Sequence, residues 1–330
     1  MPLFVESDYR PPLFLFNGHL QMVWANIFRR VGGVYYQRER IDTPDGDFLD
    51  LDWARVGAGR LAIVSHGLEG YSRRPYALGM VKALNRRGWD VLAWHYRGCS
   101  GELNRLPRFY HSGDTDDLAT VVDCVLDSEK YESIALIGFS LGGNLLLKYL
   151  GERGGDVHGA IKGGVAFSVP CDLSTGSERM NAFENKLYLR RFIVQLRQKV
   201  RARNRVWPGK LQVEALEEIR TFQQFDERYT APLHGFEDAE DYYCRSSCRS
   251  YLEKIRAPVL IVNARNDLFL SEECYPEDEA KASEFVFLEM PEQGGHVGFP
   301  LMEEEYWSEK RAAMFLEFEG KVPCETINVQ

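Results

Sequence analysis

The run Gly138-Phe139-Ser140-Leu141-Gly142-Gly143 limits what this chain can fold into more than any other stretch. Ahead of it lies Ile134-Ala135-Leu136-Ile137, the length and character of a buried strand, and behind it Asn144-Leu145-Leu146-Leu147 opens a leucine-rich helix. A serine on so tight a strand-to-helix turn takes a strained backbone, and its neighbours pass close to adjacent chain. Side chains two positions away on either side must then be nearly absent, which Gly138 and Gly142 satisfy. The turn lifts the Ser140 hydroxyl above the sheet, at a helix N-terminus whose dipole favours developing negative charge. The bare spacing arises by chance in many chains; the strand before it and the helix after it give it weight.

A serine hydroxyl is a poor nucleophile near neutral pH and needs a base within hydrogen-bonding reach. Around such a turn the partners follow in the order Ser, Asp or Glu, then His. Asp267 comes just after the apolar run Val259 to Ala264, and His296 lies in the loop Gln293-Gly294-Gly295-His296 after Glu284 to Leu288. The expected roles are Ser140 as nucleophile, His296 as general base and Asp267 as the acid that orients it; Asp278 and Asp241 are the alternatives for the acid. An oxyanion hole needs two backbone N–H groups. One is expected from Leu141, the other from His66-Gly67-Leu68-Glu69-Gly70, with Leu68 assigned and Glu69 one residue away. His66 itself suits a loop-shaping role.

From residue 60 onward short apolar runs alternate with helical segments, the pattern of a mostly parallel sheet with helices on both faces. Strands are expected at Leu61 to Ser65, Asp90 to Trp94, Ser133 to Gly138, Ala160 to Ser168, Val259 to Ala264 and Glu284 to Leu288. Helices are expected at Pro75 to Arg87, Asp114 to Leu126, Gly142 to Leu150 and Tyr306 to Glu319. Val34 to Ile41 and Phe48 to Trp53 flank the turn Pro44-Asp45-Gly46 and read as an antiparallel hairpin at the sheet edge. About 90 residues between Ser168 and Val259 show no clear strand, with Ser177 to Arg203 and Gln212 to Phe222 helix-like. Connections of that length act as lids or binding elements. The expected division is a core of residues 1–170 and 255–330 with a helical cap, 171–254, inserted in it.

A net charge of −9 argues against a nucleic-acid partner. Yet Lys186 to Lys210 holds nine basic residues and no acidic one. In Lys186 to Arg197 they mix with apolar residues at nearly helical spacing. That reads first as a cap helix with its apolar face on the sheet and its charges in water, and second as a surface for anionic lipid. The seven cysteines (99, 124, 171, 244, 248, 274 and 324) have no small-scaffold spacing, and reduced thiols are expected. Cys244 and Cys248, at i and i+4, would share a helix face, but no third ligand nearby completes a metal site. No metal and no cofactor is implied. No apolar run approaches the length of a membrane span, and no signal peptide is read, so the expected location is the cytoplasm.

These residues, together with several loop motifs, resemble the YheT-like branch of the α/β-hydrolase superfamily. The likeness rests on Asn17-Gly18-His19-Leu20-Gln21, on His66 to Gly70, and on Arg97-Gly98-Cys99-Ser100-Gly101 running on to Phe109-Tyr110-His111-Ser112-Gly113. Thr230-Ala231-Pro232-Leu233-His234-Gly235-Phe236 and Asp241-Tyr242-Tyr243 extend it into the cap. The resemblance implies an α/β-hydrolase fold and carries the triad onto Ser140, Asp267 and His296. Animal members of that branch usually have an N-terminal membrane anchor that is not read here, so the resemblance leaves open whether their membrane-lipid substrates are shared. His19, Arg97, Cys99, His111 and His234 either line the pocket or tie loops together; the second is the expected role.

The resulting expectation is a carboxylic ester hydrolase working through an acyl-enzyme on short- to medium-chain acyl esters, monoacylglycerol-like ones included. The alternatives are an alcohol acyltransferase using the same acyl-enzyme and a non-catalytic binding protein on the hydrolase fold. The expected partner is a small ester or lipid-like molecule.

Overall fold

The computed structural model describes residues 3–5 and 7–317. Nine strands are present among the described residues: β1 (Leu3–Val5), β2 (Gln37–Asp42), β3 (Phe48–Ala54), β4 (Arg60–Ser65), β5 (Asp90–His95), β6 (Ser133–Phe139), β7 (Ile161–Phe167), β8 (Val259–Val262) and β9 (Val286–Glu289). They form one sheet in the order β1-β9-β8-β7-β6-β4-β5-β3-β2. Neighbours run parallel from β1 to β5, and β3 and β2 are antiparallel additions at the far edge. The expected hairpin is therefore present, joined by the turn at Gly46.

Helices of the core are α1 (Gly18–Val23), α2 (Pro75–Asn85), α3 (Thr115–Asp127) and α4 (Leu141–Arg153). Between β7 and β8 come α5 (Leu173–Arg179), α6 (Lys186–Val206), α7 (Phe222–Phe225), α8 (Ala231–His234) and α9 (Ala239–Ser246), followed by α10 (Glu277–Ala282) and α11 (Trp307–Glu317). The expected last helix ran to Glu319; its final two positions, like Cys324, lie outside the described residues.

Strand periodicity explains how the two faces are filled. Along β4, Leu61 and Ile63 join one apolar cluster while Ala62 and Val64 join another; β6 divides Ile134 and Leu136 from Ala135 and Ile137 in the same way. The first cluster is closed by Leu118, Val121 and Val122 of α3 and Leu145 to Leu147 of α4, the second by Met80, Val81 and Leu84 of α2 and Ala312, Ala313, Phe315 and Leu316 of α11. Both faces being covered, the central strands are apolar throughout rather than alternating. Each fully buried Leu or Ile here contributes about 1.5–3 kcal/mol.

The insertion between β7 and β8 builds a smaller apolar cluster of its own. Leu189, Ile193, Leu196 and Val200 recur along one face of α6 and meet Met180, Leu216, Ile219, Phe225 and Tyr229, with Phe109 reaching in from the core. Two helical expectations fail here. Ser177 to Arg203 is not one helix: Asn185 donates to Arg179 O (3.1 Å) and Leu268 O (2.7 Å), and the chain turns between α5 and α6. Gln212 to Phe222 holds a short 3₁₀ turn, Leu216–Glu218, and becomes α-helical only where α7 opens at Phe222. Ala215 has a φ of +56°, and the carbonyls of Glu217 and Ile219 accept from the Arg197 guanidinium of α6, with Arg220 also donating to Glu217 O. Cys244 and Cys248 do not share a helix face either. α9 ends at Ser246, leaving Cys244 exposed and Cys248 buried.

Candidate active site

Ser140 closes β6 and precedes α4 with φ +55° and ψ −119°, a conformation that costs a non-glycine residue on the order of 1–3 kcal/mol. The chain around it is as crowded as the motif requires. A Cβ at position 138 would stand 2.2 Å from Gly142 O, and one at 142 would stand 2.3 Å from Ser65 O. The Ser140 amide donates to Phe167 O at 2.8 Å, and its carbonyl accepts from Gly143 and Asn144. With the backbone pinned on both sides, the hydroxyl is left projecting from the sheet.

Asp267 and His296 stand on loops following β8 and β9. Ser140 Oγ is 2.9 Å from His296 Nε2, and His296 Nδ1 is 2.9 and 3.1 Å from the two carboxylate oxygens of Asp267. Asp267 Oδ1 also accepts from the Phe269 amide at 3.0 Å, and the Phe269 ring packs on the imidazole with centroids 4.4 Å apart. The three side chains expected from sequence are brought together. The two alternatives for the acid are elsewhere: Asp278 is exposed on α10 beside Lys281, and Asp241 on α9 accepts from Arg245 and the Glu237 amide.

The loop after β4 lies against the serine, since a Cβ on Gly67 would be 3.3 Å from Ser140 Cβ. Its amides are largely engaged. Gly67 N–H donates to Tyr76 Oη (3.1 Å), Glu69 N–H to Tyr110 Oη (2.8 Å) and Gly70 N–H to Gly67 O (3.0 Å). Among the described residues Leu68 N–H has no such partner, and neither does Leu141 N–H at the first position of α4. Of the two candidates, the Glu69 amide is thus engaged and the Leu68 amide is not. His66 is buried, its Nδ1 bonded to Gly67 O at 2.7 Å, and burial holds its pKa well below the ordinary histidine range.

Several residues that sequence reasoning left without a role prove to hold this site in place. Gln21, fully buried, donates from Nε2 to Leu15 O and Gln293 Oε1 (2.7 Å each) and accepts on Oε1 from Gly294 N–H (2.8 Å) and Asn266 Nδ2 (3.0 Å). It thus joins the loop of Asp267 to the loop of His296. Glu69 receives Lys199 Nζ at 2.5 Å and the Tyr110 hydroxyl at 2.7 Å, linking α6 to the loop against Ser140. Lys199 belongs to the basic run, and nothing in its spacing marks it from exposed members such as Arg201.

The motif residues of undecided role mostly tie loops together. Arg97 donates to Asp45, Asp47 and Asp117 at 2.6–3.2 Å, joining the hairpin turn to α3. His19 Nδ1 is 3.1 Å from Tyr188 Oη, and the rings stack. Cys99 Sγ takes Lys199 Nζ at 3.3 Å, and burial pushes its thiol up to about 11. His111 and His234 face each other with ring centroids 4.4 Å apart.

Ser140 and His296 lie at the floor of a cavity of about 310 Å³ between the sheet and the inserted helices. Its walls are mainly apolar, with Phe109, Met180, Leu196, Phe222, Phe225 and Phe269 prominent. Asp226 also faces it; burial pushes its pKa up to about 6, against hydrogen bonds from Thr230 and Tyr243. Among the described residues no helix is long and apolar enough to cross a membrane.

Known proteins share this fold. The family model described as alpha/beta hydrolase fold matches residues 63–301. YheT of Escherichia coli, which is named as an esterase, is 35% identical over 316 residues, covering 93% of this chain and 92% of its own. The human phospholipase ABHD3 is 27% identical over 89% of this chain and 74% of its own, and the monoacylglycerol lipase of Saccharomyces cerevisiae is 27% identical over 89% and 63%. Among solved structures, the Pyrococcus furiosus esterase Pf2001 superposes with a TM-score of 0.59 at 21% identity, covering 95% of this chain and 98% of that one. Est1E from Butyrivibrio proteoclasticus, with ferulic acid bound, gives 0.56 at 16% identity over 85% and 98%. With the family match spanning most of the sheet and YheT aligned over 93% of this chain, the chain belongs to the α/β-hydrolase family, in the branch of YheT.

Proposed function

We propose that this chain is a serine-dependent carboxylic ester hydrolase acting on short- to medium-chain acyl esters, monoacylglycerol-like ones included. The observation that carries the reading is the contact of Ser140 Oγ with His296 Nε2 at 2.9 Å, the same imidazole being held by Asp267 at 2.9 Å. His296 takes the serine proton as Oγ attacks the ester carbonyl, and Asp267 fixes the tautomer and stabilises the imidazolium. The oxyanion is received by the amides of Leu68 and Leu141, each donor being worth about 3 kcal/mol in the transition state. His296 then protonates the departing alcohol. Water, activated by the same imidazole, releases the acid from the acyl-enzyme.

The cavity supports the substrate class. Its apolar wall suits an acyl chain, and about 310 Å³ is at the small end of ligand sites. In this reading residues 171–254 act as the cap that closes it. Names among the relatives, a phospholipase and a monoacylglycerol lipase, point to lipid-like esters. The surface near the cavity is consistent with that. Leu13, Phe16, Ile27 and Phe28 of the N-terminal segment, and Phe183 and Leu187 around the start of α6, are exposed, with Lys186, Arg190 and Arg191 beside the latter. Ile27, Tyr188 and Arg191 themselves line the cavity. Such an apolar rim with basic residues suits transient contact with anionic lipid.

The test is a panel of p-nitrophenyl esters of increasing acyl length, run on the native chain and on Ser140→Ala. A rate maximum at short or medium chains that disappears in the variant supports the proposal; activity unchanged in Ser140→Ala ends it. Adding ethanol to the same assay separates hydrolysis from acyl transfer, since transfer yields the ethyl ester.

A further inference from the structure

We propose that His111, Asp114 and His234 form a binding site for a divalent transition-metal ion, zinc foremost, which pins the inserted helices to the core. The inference goes beyond the ester chemistry and does not rest on it. His111 and Asp114 lie on the segment leading into α3, and His234 is the last residue of α8, so the three come from both sides of the junction. Potential ligand atoms on all three lie within 4.8 Å of one another. Two imidazoles and one carboxylate are a donor set that suits zinc and leaves a fourth position for water.

The polar groups here are short of partners. Both ring nitrogens of His234 and Oδ2 of Asp114 are buried without a hydrogen bond. The Asp114 side chain is 6% exposed, and its other oxygen meets Arg108 Nη2 only at 3.5 Å. His111 Nδ1 accepts one local bond, from Gly113 N–H at 3.2 Å. Most buried polar atoms are satisfied, so this many orphans in one place ask for a common partner. An ion supplies it for all three side chains at once. Aromatic rings enclose the group: Phe236 and Tyr242 lie 5.3 and 5.6 Å from His111, and Phe109 lies 6.2 Å from His234.

The charge around the site is mixed: Asp45, Asp47 and Asp117 pair with Arg97 and Arg108, and Lys148 and Arg245 also act on His111, so an ion here would be held by direct ligation rather than by the surrounding field. Ligand atoms on a tetrahedral zinc with bonds of 2.0–2.1 Å stand about 3.3 Å apart, so the group has to close by up to about 1.5 Å, within the reach of side-chain rotation. The site adjoins the cavity, which His111 and Ser112 help to line, so an ion there would also stiffen that wall.

The full chain is treated with EDTA, dialysed, and titrated with Zn²⁺ by calorimetry and with Co²⁺ by visible absorption. The expected result is one ion per chain, Co²⁺ ligand-field bands, and a thermal midpoint raised by Zn²⁺. His234→Ala and the near-isosteric Asp114→Asn should each weaken binding at least about tenfold, as loss of a ligand must exceed the usual effect of an outer partner. His296→Ala should leave binding intact. Absence of saturable binding, as when only water occupies the site, overturns the proposal. So does binding that withstands both ligand variants, or binding that His296→Ala removes, which would place the ion at the serine site.

Discussion

The side-chain oxygen of Gln21 accepts the Gly294 amide at 2.8 Å, two residues ahead of His296. The same oxygen holds Asn266, the neighbour of Asp267, so one buried amide helps set the spacing of two loops that are also joined by Gly295 N–H to Asn266 Oδ1 (2.9 Å), by Arg265 N–H to Pro291 O (2.7 Å) and by the imidazole. Replacing Gln21 by Leu should lower kcat about 10- to 100-fold, the usual scale for a displacement of about 1 Å among reacting groups, while KM changes little. A steady-state comparison on one p-nitrophenyl ester checks it. A matching rise in KM would assign Gln21 to substrate binding instead.

Ser140→Ala should reduce ester turnover by about a thousandfold or more, and Asp267→Asn by a similar factor through the wrong histidine tautomer. A fluorophosphonate followed by peptide mapping should label Ser140 and no other serine. Near-normal turnover in Asp267→Asn would move the orienting role away from that residue.

Contact of the apolar rim with lipid is checked by sedimentation with vesicles. Binding is expected with anionic vesicles, should weaken as salt is raised, and should fall several-fold in Leu187→Asp. Leu187 is 79% exposed, so the change leaves the core untouched. Equal binding to neutral and anionic vesicles would remove the electrostatic part of the argument.

Asp226 makes stability depend on pH in a definite direction. Burial raises its folded pKa to about 6, above the ordinary value of 3.8, so the folded state holds its proton more tightly than the unfolded chain. Stability associated with that proton is fully present below the unfolded value and is lost as pH rises through about 6. Asp226→Asn has no proton to lose. Its thermal midpoint relative to the native chain should therefore be higher by a few degrees at pH 8 than at pH 4, measured by differential scanning calorimetry.

Legibility in the sequence followed the locality of each signal. The turn at Ser140 was readable because its steric demands fall on glycines two residues away, and the strands because burial on both faces leaves them apolar throughout. Asp267 and His296 were readable through chain order after particular strands. The insertion was harder. The turn at Asn185 depends on a bond to Leu268, and the loss of helix near Ala215 on a guanidinium from α6, neither of which local propensity contains. Gln21 and Lys199 belong to the same class. Their importance lies in partners more than a hundred residues away, and their own surroundings in sequence are ordinary.

The unusual backbone of Ser140 has a thermodynamic corollary. The twisted turn persists because the sheet and α4 impose it, whatever side chain stands there, so an alanine would inherit the conformational penalty without the reactivity. Glycine at the same place would be released from it. Ser140→Gly should accordingly melt higher than Ser140→Ala, two inactive proteins whose difference reports what the fold gives up to present a hydroxyl at that point.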